Sequence, residues 1–195
     1  MKFKLKVVLL LSLFSIGFNS VGVCAMLVPD IYGSLGVMHS SEKNTFFGNS
    51  DTTKVSNYHL ALGIRPLDIP IVGGFRIEGQ YDSHFRSTDI DSVYGAVLYY
   101  DILRIIPIVN PYIGVGMMTS KLNNSTARDF GVSDSDKAFS YHIGLDFSLP
   151  IVGLNLFLEA RQMKFDYAKE LNTTLSDLKI KKIDTIFGIK YYFLK

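Results

Sequence analysis

The stretch Ile183-Asp-Thr-Ile-Phe-Gly-Ile-Lys-Tyr-Tyr-Phe193 narrows the choice of folds more than any other part of the chain. Its odd positions are mostly large and apolar, while its even positions include Asp184, Gly188 and Lys190. Alternation with a period of two belongs to a β-strand with one face against an apolar medium and the other against a polar one. The chain is 48% apolar and only 19% charged, against about 25% charged residues in soluble domains. Beyond residue 25, however, it has no apolar run of the roughly 20 residues that a transmembrane helix needs. Its apolarity is spread over many short segments, which points to strands.

The first residues read as an export signal. Lys2, Lys4 and Lys6 precede the apolar run from Val7 to Phe18, and Val23-Cys24-Ala25 offers small residues at a cleavage position. We expect a signal peptide over 1–25 and one mature domain over 26–195. Cleavage after Ala25 removes the only cysteine, leaving no thiol for a disulfide or a metal site. Without those three lysines, 17 basic groups face 18 acidic ones. That near-balance offers no basic patch for nucleic acid.

Seven more segments share the alternating pattern. Ile31–Met38, Ser56–Arg65, Phe75–Asp82, Val93–Asp101, Pro111–Met118, Ala138–Phe147 and Leu154–Arg161 precede Ile183–Phe193. Ser56–Arg65 is the clearest, with Tyr58, Leu60, Leu62 and Ile64 opposite Asn57, His59, Ala61, Gly63 and Arg65. Large apolar residues on one face and small or polar ones on the other fit a lipid-facing wall around a polar lumen. Ile69-Pro-Ile-Val72, Ile106-Pro-Ile-Val109 and Leu149-Pro-Ile-Val152 recur at three short connections, where proline interrupts strand pairing. Four longer polar segments, 39–53, 83–91, 120–136 and about 166–179, lie at the other ends. The expected fold is all-β: an eight-stranded antiparallel up-and-down transmembrane β-barrel with short periplasmic turns and long extracellular loops. With no tryptophan present, interfacial girdles fall to Tyr58 and Tyr81 above and to Phe75, Tyr100, Phe147, Tyr191 and Phe193 below.

Pro111-Tyr-Ile-Gly-Val-Gly116, Arg76-Ile-Glu-Gly-Gln-Tyr81 and the closing Gly188-Ile-Lys-Tyr-Tyr-Phe193 resemble segments of the eight-stranded outer-membrane β-barrel family. That family includes OmpA/OmpX-type and opacity-type surface proteins. The resemblance covers about residues 31–193. It departs at Leu194 and Lys195, which follow the aromatic where such chains usually stop, and at Ile186, where the signal is usually polar. It implies a Gram-negative outer-membrane location, insertion by the barrel-assembly machinery, and contact with the lipid bilayer and lipopolysaccharide. Its porin-like architecture goes with the role of a surface antigen.

Eight strands enclose a lumen that side chains can fill. The inward positions hold Arg65, Arg76, Arg161 and Lys190 against Glu78, Asp82, Asp101, Asp146, Glu159 and Asp184. We expect a structural salt-bridge network among them, because an unpaired charge in such a place costs roughly 3–5 kcal/mol. Tyr32, Tyr99, Tyr112 and Tyr192 are inward near the periplasmic ends, and we expect an aromatic floor there. Lipid A deacylases of similar size use a His-x-Ser pair with an acidic partner on the outer wall. Here His59 and His142 point inward with Ala61 and Gly144 two positions on, and His39-Ser40-Ser41 lacks an evident acidic partner. We therefore expect no enzyme, no catalytic or metal site and no cofactor. The reading is a monomeric barrel with a closed lumen and a structural or surface-interaction role, contacting a host or surface ligand through loops 39–53 and 120–136. A lipid A-modifying enzyme and a small low-conductance pore are the alternatives.

Overall fold

A computed structural model describes residues 29–46, 49–69, 73–84, 89–102, 108–125, 127, 133–149, 153–167 and 178–194. The expected signal peptide and the prolines of the three-fold repeat lie outside the described residues. The strands are β1 (Asp30–Phe46), β2 (Asn49–Ile69), β3 (Gly73–Ser83), β4 (Ile90–Asp101), β5 (Val109–Leu122), β6 (Ser135–Ser148), β7 (Leu154–Tyr167) and β8 (Leu178–Leu194). Each pairs antiparallel with the next, and β8 closes on β1. Closure leaves no strand as a free sheet edge, although β2 pairs with β3 only from Tyr58 onward.

Asp30 and Leu194, with the strand ends Ile69, Gly73, Asp101, Val109, Ser148 and Leu154, share one end of the barrel, here called the turn end; the opposite end is the loop end. Gly73 sits at the turn end with φ of +105°. A Cβ there would stand 1.9 Å from the Asp101 carbonyl oxygen, so glycine is needed for both conformation and space.

Around the turn-end half, the alternation read from the sequence becomes an exposed apolar wall. Val37, Phe187 and Leu158 form one cross-strand row on β1, β8 and β7. All three are exposed, as are Leu62, Ile77, Leu98, Val115 and Ile143 on the other strands. Phe75 stacks with Tyr100 and Tyr191 with Phe193 at the turn-end margin, while Tyr58, Tyr81 and Tyr94 stand exposed at the upper margin.

The strands run further than the sequence pattern indicates. Of the expected loop 39–53, residues 39–46 and 49–53 form an antiparallel ribbon, in which Ser40 faces Val55, Glu42 faces Thr53 and Asn44 faces Asp51. β2 also continues through residues 66–69 of the segment 66–72 expected to turn. β5 and β6 consume the ends of segment 120–136, and β7 and β8 those of 166–179. At the loop end the extended β4, β5, β7 and β8 share an interior of their own. Ile90, Leu122, Phe165, Tyr167 and Ile180 converge there, each buried, in one apolar cluster.

Candidate functional site

The interior of the apolar wall is filled by ion pairs. Arg76 lies at the centre of the turn-end layer, 3.1 Å from both Asp101 and Asp146 and 3.5 Å from Glu78. Lys190 approaches Asp146 at 3.0 Å and Glu78 at 3.7 Å, and Arg65 reaches Asp101 at 3.0 Å. A second layer surrounds Arg161, which contacts Asp82 at 2.6 Å and Asp184 at 2.7 Å. Gln80 bridges the layers, donating to Tyr99 Oη and Glu78 while accepting from Arg161.

Glu159 departs from the expected pairing. Its carboxylate lies 2.8 Å from His142 Nδ1 and accepts from the hydroxyls of Tyr99 and Tyr112. Among the described buried residues, Arg65, Arg76, Arg161, Lys182 and Lys190 face Glu42, Glu78, Asp82, Asp101, Asp146, Glu159 and Asp184. The carboxylates exceed these cations by two. Two of them, Asp82 and Glu159, have a histidine as hydrogen-bond partner, His59 and His142 respectively.

The four inward tyrosines lie near the turn end as two pairs rather than one sheet. Tyr32 meets Tyr192 with ring centroids 5.0 Å apart, and Tyr99 meets Tyr112 edge-on at 5.3 Å. Cations join the pairs: Arg76 lies over Tyr99 and Tyr112, and Lys190 over Tyr32 and Tyr112. The four tyrosines expected as an aromatic floor are thus interleaved with guanidinium and ammonium groups.

Each of three rings also covers a glycine on the neighbouring strand. Tyr32 faces Gly63, Tyr99 faces Gly114 and Tyr112 faces Gly144 in register. A Cβ on any of those glycines would come within 2.4 Å of the ring. Glycine next to an aromatic across a strand pair is a known way to accommodate curvature.

Sequence reasoning missed three inward ionisable residues, Glu42, His84 and Lys182, because their segments read as loop or lay at its edge. Lys182 Nζ contacts His84 Nε2 and lies 3.7 Å from Glu42 and 3.6 Å from Asp184. Burial, and after it the Lys182 ammonium, pushes the His84 imidazole down to about 3. Above this cluster Asp89 ties the β3–β4 connection to β1 and to the residue that follows β5. It accepts from Asn44 Nδ2 on β1 at 2.7 Å and, through its carbonyl, from the backbone of Asn123 at 2.8 Å.

On the outer face, His39 Nδ1 is 3.3 Å from Ser56 Oγ. No carboxylate lies within ion-pair distance of His39 among the described residues. Nor do those residues contain a group of three metal-ligating side chains.

No protein-family model and no curated protein matches the chain by sequence. Among solved structures, Neisserial surface protein A aligns over 84% of this chain and 97% of its own, with a TM-score of 0.51 and 13% identity. This is the eight-stranded outer-membrane barrel fold. OprG from Pseudomonas aeruginosa aligns over 85% of this chain and 96% of its own, at a TM-score of 0.45 and 14% identity. Ail of Yersinia pestis, the attachment invasion locus protein, covers 82% and 98%, at 0.42 and 17%.

Proposed function

We propose that this chain is an integral outer-membrane protein with a structural and surface-interaction role, carrying little or no ion current. The carrying observation is the opposed polarity of the turn-end half. An exposed apolar wall surrounds an interior in which Arg76, Tyr99 and Tyr112 are at most 1% exposed. Such a wall is favourable in lipid, and a lumen occupied by paired side chains leaves ions no hydrated path. Surface contacts then fall to the loop-end rim, where connections are held on a rigid scaffold. The ribbon 39–53 presents strand backbone and side chains rather than a free loop, so segment 120–136 is the better candidate for a ligand loop. Ester hydrolysis at His39–Ser56 has less support, since no charged group among the described residues orients the imidazole.

Folded protein in detergent should migrate differently on gels before and after boiling, and planar bilayers containing it should show no stable large unitary conductance. Such a conductance would sink the closed-lumen reading in favour of a pore. Unchanged mobility with periplasmic fractionation would sink the membrane reading itself.

A further inference from the structure

The interior of the loop-end half has two unlike sides. One is the apolar cluster carried by β4 to β8. The other is lined by polar side chains from β8, β1, β2 and the end of β3. Ser40 on β1 faces Asp184 on β8, and Asn57 on β2 faces Met38, two residues below Ser40. His84, just past β3, reaches Lys182 of β8. Arg161 and Met38 lie beneath, with Arg161 donating to Met38 Sδ at 3.0 Å. Asn44 closes the top by donating to Asp89.

Ser40, Asn57, His84 and Asp184 are each at most 5% exposed. Yet Ser40 Oγ, Asn57 Nδ2 and Oδ1, His84 Nδ1 and Asp184 Oδ1 have no hydrogen-bond partner among the described residues. Buried polar atoms are nearly always bonded, so these orphans on adjoining strands point to a ligand. Their chemistry narrows its class. The Lys182 ammonium can only donate, so His84 Nε2 accepts from it and the imidazole proton lies on Nδ1. Nδ1–H and Asn57 Nδ2 therefore need acceptors. Asp184 Oδ1 and Asn57 Oδ1 need donors, and Lys182, 3.6 Å from Asp184 Oδ1, is too far to serve as one. A bare cation would answer only the oxygens and would meet the Lys182 ammonium. An anion would meet Asp184 and Glu42. What fits is neutral, small enough for an enclosed space, and able to donate and accept at once.

We propose that Ser40, Asn57, His84 and Asp184 hold a cluster of ordered water molecules between the Arg161 layer and the rim. One buried water makes about three hydrogen bonds, so these atoms call for at least about two waters. Water bridges then do on the β1–β2 side what apolar contacts do on the opposite side. This also accounts for the polar inward face of β1, formed by Ser40, Glu42 and Asn44. The inference goes beyond the closed-lumen reading and holds whatever medium meets the outer wall.

The test uses the full mature chain, isotope-labelled and folded in detergent micelles, and reads magnetisation transfer from water to amide protons by NMR. The Asn57 side-chain amide and the backbone amides of Ser40 and Asp184 should show cross-peaks of the sign that marks water held longer than the particle tumbles. Amides of Phe165 and Ile180, whose side chains lie in the apolar cluster, should show none. Asn57→Leu keeps the size of the side chain and removes both orphan atoms, so the Ser40 and Asp184 cross-peaks should be lost. Ser40→Ala should weaken the one at Asp184, and with the wild-type spectrum it decides the matter if Asn57→Leu does not fold. Absence of the cross-peaks in wild-type protein overturns the proposal, since the orphan atoms must then bond one another. Equal cross-peaks at Phe165 and Ile180 overturn it in favour of solvent entering from the rim. Cross-peaks unchanged in both variants overturn the named site and move the water to Lys182 and its carboxylates. A shift of the Asn57 side-chain amide when sodium is exchanged for N-methylglucamine overturns it in favour of a bound cation.

Discussion

The turn-end and loop-end halves of the same eight strands are built with opposite polarity. In the turn-end half, Leu35, Leu62, Ile143 and Phe187 face outward while Arg76, Asp146 and Lys190 fill the interior. In the loop-end half, Lys43, Lys121, Lys137, Lys164, Lys179 and Lys181 face outward and Ile90, Phe165, Tyr167 and Ile180 are buried. A strand keeps its inside–outside alternation along its whole length, so the change is in the medium each face meets. The lower half has the arrangement expected in lipid, and the upper half that of a small water-soluble barrel. β7 carries both in one strand: Leu156 and Leu158 point out near its start, then Met163, Phe165 and Tyr167 point in. The transition falls near His39, Gln162 and Ile183, where neither face is uniformly apolar.

Breaking the two interiors should therefore have different reach. Arg76→Ala leaves Asp101, Asp146 and Glu78 with only Arg65 and Lys190 as ion-pair partners among the described residues and should cost up to about 3–5 kcal/mol, because the buried carboxylates of this layer then outnumber its cations. Unfolding of the whole barrel, followed in urea and detergent by gel mobility, should shift accordingly. Ile180→Ala removes apolar contacts and should cost about 2 kcal/mol or more at its site. That loss belongs to the loop-end cluster above the apolar wall. Limited proteolysis should then cut near residues 168–177 or 123–134 while the gel shift persists. A global loss of the folded band with Ile180→Ala, equal to that with Arg76→Ala, would mean the halves fold as a single unit.

This division also explains which elements could be read from sequence. In the turn-end half, large apolar residues alternate with charges and glycines, so Tyr58 to Arg65 and Phe139 to Phe147 declare both strand and facing. In the ribbon of β1 and β2 both faces are polar: Ser41, Lys43 and Thr45 alternate with Ser40, Glu42 and Asn44. Period two carries no contrast there, and the segment reads as loop. On β7 and β8 the contrast returns with its phase reversed, so Phe165 and Ile180 look like breaks in the strand. Inward placement of Arg76, Asp146 and Lys190 was legible because facing follows from parity alone. Their partners were not, because pairing across the lumen depends on which strands stand opposite one another. The same limit hid the Tyr32–Gly63 contact, whose members belong to different strands.

That contact offers a smaller test confined to the turn-end half. Added to Gly63, a methyl group would meet the Tyr32 ring at 2.3 Å, and the three nearest atoms all belong to that side chain. Gly63→Ala should cost about 1–3 kcal/mol by overpacking and displace the Tyr32 hydroxyl from Glu78, now 2.7 Å away. Adding Tyr32→Leu should recover part of the loss, because the obstruction is the ring itself. A double variant no more stable than Tyr32→Leu and Gly63→Ala acting additively would show that Gly63 is required by the backbone and not by the ring.

The loop-end half should reveal itself through pH. His84 is enclosed by Lys182 from β8, Glu42 from β1, Asp82 from β3 and Asp184 from β8, with Arg161 from β7 acting through space. Burial first, then Lys182, holds its pKa near 3, whereas an unfolded histidine titrates near about 6.5. The folded state therefore keeps His84 neutral where the unfolded chain takes up a proton. Its contribution is complete above about pH 6.5 and is lost as pH falls from there toward about 3, at no more than about 1.4 kcal/mol per pH unit. His84→Gln removes the titration while keeping a polar side chain beside Lys182. Proteolytic resistance of the rim, compared between pH 7 and pH 5, should fall more in the wild type than in His84→Gln, while the gel shift changes little in either. Equal pH dependence in the two proteins would assign the acid sensitivity to the carboxylates around Arg161, and with it to the charged interior of the turn-end half.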